Sequence, residues 1–371
     1  VKTNYLFGSS PPSIFIGRLG YPYVYAGPLA PPIIGDTKIY DYPELWREMK
    51  LEDLLSLRLS LVLGRKAVDI YNIDDKFTES LQLIAIGLKP IDVEMRFSKT
   101  PKGYIINDYE PPIGPRAPIE NVRVVGSSPT HRVIERLYSD FDVRALDAVI
   151  EMYRAGVEVS HIQKILSVGA IGRKRFRKLV PTRWAITAVD DMVSKFLIEN
   201  NIRFYEELGE IYVFNRHIHK NLFISILIPG KWCFEWMEAW FPRSTWNLNG
   251  DFIAIEGDYE IVRPRNKYAS IGGCYYASRL ATAEFLDRIK RQAIAIVLRE
   301  IYPGFNIPIG VWFVREQLRE MYRQKSLKVN TLEEALSIID RYSIVGSSEW
   351  VKKSKLLSIL LKSKKLDMFI K

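Results

Sequence analysis

Apolar residues recur at three- and four-residue spacing through Leu51, Leu54, Leu55, Leu59 and Leu63. That stripe predicts a helix over Pro43 to Leu63, with Pro43 in the first turn, where a missing N–H costs nothing. A second helix is expected from Phe77 to Gly87, ended before Pro90, and a helix pair over Arg144–Tyr153 and His161–Leu166, broken at Gly156. Thr187 is expected to cap a helix running to about Glu199. Tyr275 to about Gln292 carries Leu280, Ala283, Leu286 and Ile289 on one face. Ile309–Tyr322 reads as helical at its end, and Thr331-Leu332-Glu333-Glu334 is a capping-box pattern for a helix ending near Tyr342. Strand-like runs are Ser13–Ile16, Tyr23–Tyr25, Val122–Val125, Ile211–Phe214, Leu222–Leu227 and Phe234–Trp240. Ala293–Leu298 fits either a continued helix or a buried strand. Gly- and Pro-rich breaks occupy residues 1–40, 98–129 and 243–250. Separated helices and strands without regular βα alternation predict an α+β fold, with mostly antiparallel strands and a short flexible C-terminal tail.

Composition narrows the class. With 47% hydrophobic and 26% charged residues among 371, the chain is excluded from the disordered and low-complexity classes. The longest apolar run, Leu222 to Pro229, is strand-sized and far short of a bilayer span. The N-terminus shows no charged-then-apolar leader, so no membrane association and a cytoplasmic location are expected. The only cysteines, Cys233 and Cys274, rule out a disulfide framework and a four-cysteine zinc site. The net charge of +10 is uneven: residues 351–371 hold seven Lys and one Asp. A basic balance of this kind favours polyanionic partners such as nucleic acid.

Several groups of residues are candidates for chemistry. Arg173, Lys174, Arg175, Arg177 and Lys178 form the densest basic run, with Arg183 shortly after. They are candidate DNA contacts, because phosphate neutralisation dominates non-specific affinity. Phe176 and Trp184 beside them are of the type that stacks on bases. Asp190 and Asp191 could act as paired carboxylates, but placement in the first turn of a Thr187-capped helix accounts for them more simply. The same structural reading is favoured for Glu300 and Glu316. Ser9, Ser10 and Arg18 suit a phosphate cradle of small residues and a guanidinium fork, with neither a Walker nor a Rossmann pattern present. His217 and His219 alternate along an expected strand and could share a metal with Cys233, although a surface pair is the simpler reading. No metal is predicted, and no catalytic triad can be assembled from spacing.

Taken together, several stretches resemble the archaeal Nre family of DNA-repair proteins. They are Leu6-Phe7-Gly8-Ser9-Ser10-Pro11-Pro12-Ser13, Gly17-Arg18 with Gly20-Tyr21-Pro22, Gly27-Pro28-Leu29, Arg177 to Trp184 with Ile186 to Asp191, and Gly272 to Leu280. Arg291-Gln292-Ala293, Arg299-Glu300-Ile301 and Gly310-Val311-Trp312 with Val314-Arg315-Glu316 complete the set. The resemblance implies DNA repair, with the sliding clamp PCNA as a partner. It also implies an N-terminal region over 1–250, a C-terminal region over 251–362 and a clamp-binding tail over 363–371. Family members commonly carry a Cys-rich, zinc-finger-like segment ahead of the Gly-Ser-Ser-Pro-Pro stretch. This chain starts only a few residues before that stretch, so no zinc is expected.

In the tail, Leu366, Phe369 and Ile370 have the spacing that one helical turn brings to a single face, where they would fill a hydrophobic pocket. Ser363 stands where the family-style peptide has Gln, and Ile370 replaces a second aromatic, so weaker clamp affinity is expected. The leading expectation is therefore a factor that binds DNA and is tethered to PCNA. The competing one is an enzyme acting on DNA or a nucleotide, a nuclease or group transferase, with a pocket near Ser9, Ser10, Arg18 and Asp190. In the transferase reading the group would come from a nucleotide cofactor, and the sequence identifies no particular cofactor. A third reading is an interaction scaffold using Tyr21, Tyr23 and Tyr25.

Overall fold

The computed structural model describes residues 4–108, 110–261, 265 and 267–369, with side chains as far as 362. Among the described residues, strands form two six-stranded sheets, one in each of two units, Val1–Val193 and Ser194–Lys371. The fold is α+β with mostly antiparallel pairing, as the segment pattern predicts.

The first unit holds β1 (Tyr5–Ser10), β2 (Ile14–Ile16), β3 (Tyr23–Ala30), β4 (Val62–Asp69), β5 (Ile91–Phe97) and β6 (Arg116–Val125), in the order β1-β5-β6-β4-β3-β2. Among the described residues of this sheet, only the β4–β6 pair is parallel. The two edges, β1 and β2, are separated by Pro11, Pro12 and Ser13 alone. The Ser9 N–H donates to Ile33 O (2.8 Å) and the Leu29 N–H to Ser13 O (3.0 Å), so one bent segment lines both edges and curls the sheet towards closure. The curl brings backbones close. A Cβ on Gly27 would lie 1.5 Å from Gly64 O, a contact only glycine permits. β5 was not among the expected strands, yet its sequence alternates strictly: Ile91, Val93, Met95 and Phe97 point inward.

The helices of this unit are α1 (Leu51–Leu59), α2 (Lys76–Ile86), α3 (Arg132–Ser139), α4 (Ala145–Arg154) and α5 (Val159–Ser167), together with the start of α6 (Thr182–Asn200). Two expectations are corrected here. The helix expected over Pro43–Leu63 is a 3-10 turn at Pro43–Leu45, then α1, then the start of β4, so Leu63 packs from a strand. The leucine stripe runs across an element boundary because the apolar run Leu61-Val62-Leu63 serves the sheet. Likewise, α6 begins at Thr182 and not at Thr187: the Pro181 carbonyl accepts the Ala185 N–H (3.0 Å), closing the first turn five residues early. Thr187 instead back-bonds to the Arg183 carbonyl (3.4 Å) within the helix. Gly156, at φ +82°, separates α4 from α5 as expected.

The second unit holds β7 (Ile211–Ile218), β8 (Asn221–Ile228), β9 (Cys233–Trp240), β10 (Ala254–Glu260), β11 (Ile294–Ile301) and β12 (Leu327–Val329), in the order β10-β9-β11-β8-β7-β12. The run at 293–298 is thus a strand. It is paired parallel to β9 and antiparallel to β8, and β8 and β11 are buried along nearly their whole length. α7 (Gly273–Ile289) lies in the connection that the parallel β9–β11 pair requires. α8 (Trp312–Met321), α9 (Leu332–Tyr342), α10 (Ser347–Lys353) and α11 (Lys355–Phe369) follow. Alternation along β7 sets the layers. Ile211 and Val213 join a core with Ile338, Trp350, Leu356 and Leu357 of α9–α11, whereas Phe214 packs edge-on against Phe285 of α7 and Tyr322. Thr331 caps α9 through the expected capping box. The sequence division at 250 falls within this unit, between β9 and β10, which pair with one another.

Candidate nucleic-acid interface

Outward-facing residues of the first unit gather aromatic rings and cations on one surface. Along β3, Val24 and Ala26 face the core and Tyr23 and Tyr25 face out, with Tyr23 66% exposed. Alternation alone dictates this. Arg65 of β4 stands over the Tyr25 ring at 4.7 Å. The β2–β3 connection carries Arg18, Leu19 and Tyr21 into solvent, and Tyr21 meets Trp184 of α6 with ring centroids 5.1 Å apart. Lys178 reaches both the Tyr21 hydroxyl (3.4 Å) and the Tyr71 ring (5.8 Å), so it links the three segments. Trp184 remains 44% exposed despite its contact, and Tyr71 is 63% exposed.

The basic loop before α6 divides into two kinds of cation. Arg173, Lys174 and Arg175 are exposed around a short turn, with Arg175 over the exposed Phe176 ring (4.6 Å) and Lys174 over Phe141 (5.4 Å). Arg177 is buried and does not project with them. Its guanidinium donates to the carbonyls of Gly172 (2.7 Å), Tyr138 (2.9 Å), Asp140 (2.7 Å) and Leu137 (3.3 Å). It therefore holds the loop to the end of α3. Leu179 continues the anchoring by donating its N–H to the Ile70 carbonyl (2.8 Å).

The residues expected to form a ligand pocket are not assembled into one. Ser9 donates to Asp92 (2.5 Å) and accepts from the Gly35 N–H (2.9 Å), and Ser10 donates to the Leu29 carbonyl (2.7 Å). Both are buried at the sheet seam. Asp190 is fully buried more than two turns into α6, where it accepts from Gln163 (3.0 Å). The placement of Asp190 and Asp191 in a capped first turn is corrected accordingly: with α6 starting at Thr182, neither meets the helix N-terminus. Arg18 does have a neighbour that the sequence did not reveal. Glu110, from the Pro-rich connection between β5 and β6, is buried within reach of the Arg183 and Arg18 charges. Burial pushes its carboxyl up, against the pull of the Asn107 hydrogen bond and of the two arginines. Nothing local in that irregular segment marks Glu110.

The histidine reading is also corrected. His219 and Lys220 both have positive φ and form the tight turn between β7 and β8, so His219 does not share a strand face with His217. Cys233 pairs through Ile294 with Ile228, at the opposite end of β8 from Leu222, the partner of His217. Among the described residues no group of three His, Cys, Asp or Glu side chains is placed to hold a metal. Glu300 accepts from Tyr302, Trp350 and the Ile344 and Val345 N–H groups, and Glu316 pairs with Arg319, so both carboxylates serve the second unit's own structure.

At the C-terminus, Leu366 and Phe369 lie where only the backbone of α11 is described, and Ile370 lies outside the described residues. The root of that helix is fixed. Ser354 and the N–H groups of Lys355 and Leu356 all donate to Glu235 of β9, and Leu356 and Leu357 are buried in the core. No described helix is long and apolar enough to cross a membrane.

Comparison with known proteins extends these observations. Residues 1–247 match the family model described as archaeal Nre, N-terminal, and residues 260–369 match archaeal Nre, C-terminal. The chain is 50% identical over 353 residues to the DNA repair protein NreB of Archaeoglobus fulgidus, covering 95% of this chain and 89% of that one. It is 35% identical to the DNA repair protein NreA of the same organism, over 92% of this chain and 85% of the relative. To the DNA repair protein NreA of Haloferax volcanii it is 30% identical, over 95% and 87% respectively. No solved structure matches.

Proposed function

Because the chain belongs to the archaeal Nre family, we propose that it is a DNA-repair protein that binds DNA through the aromatic and cationic face of its first unit and is recruited to PCNA by its C-terminal peptide. The observation that carries the DNA-binding reading is the Tyr21–Trp184 pair with Lys178 beside it. Exposed rings offer stacking surfaces for unpaired bases, and cations interleaved among them neutralise the phosphates between those bases. Arg173, Lys174, Arg175 and Arg183 extend the positive charge, while Arg177 contributes by keeping their loop in place.

Recruitment rests on Leu366, Phe369 and Ile370, whose spacing suits a one-turn plug in a hydrophobic pocket. The Glu235 anchor supports this reading, since it ties the root of α11 to the sheet. Tethering raises the local concentration of the DNA-binding face near replicating DNA, so neither contact must be tight alone. The test is fluorescence anisotropy of labelled single-stranded and duplex DNA at about 50 and about 200 mM salt. The expected result is salt-sensitive binding that favours single-stranded or gapped substrates and is weakened in Trp184→Ala. Salt-insensitive or absent binding refutes the proposal.

A second reading, an enzyme acting on DNA, is favoured by one observation: Glu110, raised by burial within the electrostatic reach of Arg18 and Arg183. A carboxyl of that kind beside two guanidiniums suits proton transfer next to a bound phosphate. It predicts a DNA product whose formation is lost in Glu110→Gln with binding retained.

A further inference from the structure

A second cationic region of the first unit is concave and separate in its residues from the aromatic face. A cleft of about 680 Å³ opens between the Pro11-Pro12 bend, the turn at Gly35–Lys38 and the α2–β5 connection, with His161 and Lys164 of α5 at its floor. Its volume is in the range of small-molecule sites and exceeds the needs of a lone inorganic anion.

Beneath it lies a buried ionic network. Asp41 pairs with both Lys164 (2.9 Å) and Arg58, and Ser13 donates to it as well. Burial alone would raise the Asp41 carboxyl, but the two cations and the Ser13 hydrogen bond together hold it below the ordinary carboxylate range. A second buried carboxylate, Glu44, accepts from Ser160 (2.8 Å) one turn before Lys164 on α5, so the two buried cations are matched by two buried carboxylates. At the rim, Lys38 and Lys89 have no ion-pair partner among the described residues, and Lys38 rests on the Tyr42 ring at 4.1 Å. Asp36 is the acidic group of the lining, and it already accepts from the Lys38 N–H (3.1 Å). Lys38 and Lys89 against Asp36 leave the rim with a net positive charge in a partly enclosed space.

The His161 ring adds a different function. Its Nε2 lies 2.8 Å from the Ala85 carbonyl, and a carbonyl only accepts, so Nε2 carries the proton and Nδ1 is the acceptor nitrogen. Burial, with the Lys164 charge nearby, lowers the ring from 6.5 to about 4 and keeps it neutral beside the lysines. The cleft thus offers ammonium groups for an anion, an aromatic ring at the rim and a neutral imidazole in its lining.

From this arrangement we infer that the cleft between Pro11-Pro12, Lys38, Lys89 and Lys164 binds a nucleotide through its terminal phosphomonoester. The lysine ammonium groups suit a phosphate, and the remaining volume accommodates a nucleoside. The ligand's source is either a free nucleotide or the 5′-phosphorylated end of a DNA strand, which present the same group.

Isothermal titration calorimetry of the full chain tests this with 5′-AMP, adenosine, inorganic phosphate, and one oligonucleotide with either a 5′-phosphate or a 5′-hydroxyl. Saturable one-to-one binding of AMP, at least tenfold tighter than adenosine or phosphate, is expected if the source is a free nucleotide. A tenfold preference for the 5′-phosphorylated over the 5′-hydroxyl strand assigns the site to DNA ends. The Lys38→Gln/Lys89→Gln double variant removes surface charge outside the buried network. It should weaken whichever ligand binds at least tenfold, with unchanged thermal unfolding. Absence of binding by both phosphorylated probes overturns the inference. So does adenosine or phosphate binding as tightly as AMP with no preference for a phosphorylated strand, or a double variant of unchanged affinity. The aromatic-face variant Trp184→Ala should leave this binding intact, which separates its failure from that of the proposed DNA face.

Discussion

The Glu235 carboxylate, buried on β9, accepts the Ser354 hydroxyl and so joins the second sheet to the first residues of α11. The Lys355 N–H (2.7 Å) and Leu356 N–H (3.2 Å) donate to the same carboxylate, while the Leu357 N–H donates back to Ser354 (3.0 Å). A strand side chain thereby satisfies donors that a helix N-terminus leaves open.

Glu235→Ala should therefore loosen the last helix selectively. The expected cost is about 1–3 kcal/mol, that of buried donors left without an acceptor. Hydrogen exchange should quicken at residues 355–360 and remain unchanged in α2 and α5. Uniform protection in the variant would show that the carboxylate is not the anchor.

The two classes of cation in the basic loop should separate in experiment. Arg175→Ala is expected to leave stability within about 0.5 kcal/mol of the parent while reducing the salt slope of DNA binding by about 1. Arg177→Ala should cost about 2–3 kcal/mol in denaturant unfolding, because four carbonyls lose a charged donor. If both variants behave alike in both assays, the division is wrong.

Removing a stacking ring should weaken binding without changing its ionic component. Trp184→Ala is expected to lose about 1–3 kcal/mol of affinity for single-stranded DNA, with the salt slope retained. Tyr21→Ala should behave similarly, and the double variant less than additively, since the rings touch. Full affinity in the double variant would remove the face from consideration.

His161 should make stability fall at acid pH. Burial, with the Lys164 charge nearby, lowers its ring from 6.5 to about 4. The folded value lies below the unfolded one, so the contribution is complete above pH 6.5 and fades as pH falls through about 4. The full effect is about 3 kcal/mol. Urea unfolding at pH 7, 5.5 and 4.5 should show the parent losing more stability than His161→Gln, whose amide can still donate to the Ala85 carbonyl. Parallel losses in the two proteins would exclude His161 as the source.

Clamp recruitment should depend on three apolar side chains. Combined substitution of Leu366, Phe369 and Ile370 by Ala is expected to abolish co-elution with PCNA in gel filtration while leaving DNA affinity unchanged, because the lysines of the tail are retained. Undiminished co-elution would refute the tether.

Local rules accounted for most of the elements. The capping box at Thr331, the positive φ at Gly156 and the β-pattern of β7, β8 and β9 depend on residues within a few positions of one another. The expected helix over 43–63 differs from the structure because two neighbouring segments share one apolar run, and α6 starts ahead of Thr187 because the Pro181 carbonyl already accepts the Ala185 N–H. Cation type was equally opaque: Arg175 and Arg177 are two residues apart in the same basic run, yet one is exposed and the other is bound by four carbonyls.

By itself, the sequence determined the α+β class, the family and the basic, aromatic character of the segments around residues 18–25 and 173–184. Composition, periodicity and motif order are properties of the linear chain. Three-dimensional packing alone brings Tyr21 to Trp184, spends Ser9, Ser10 and Asp190 on internal hydrogen bonds, and buries Glu110 within reach of the Arg18 and Arg183 charges. Each of these joins residues from separate elements. Their burial and partners are set by how sheet and helices pack, and no short-range rule encodes that packing.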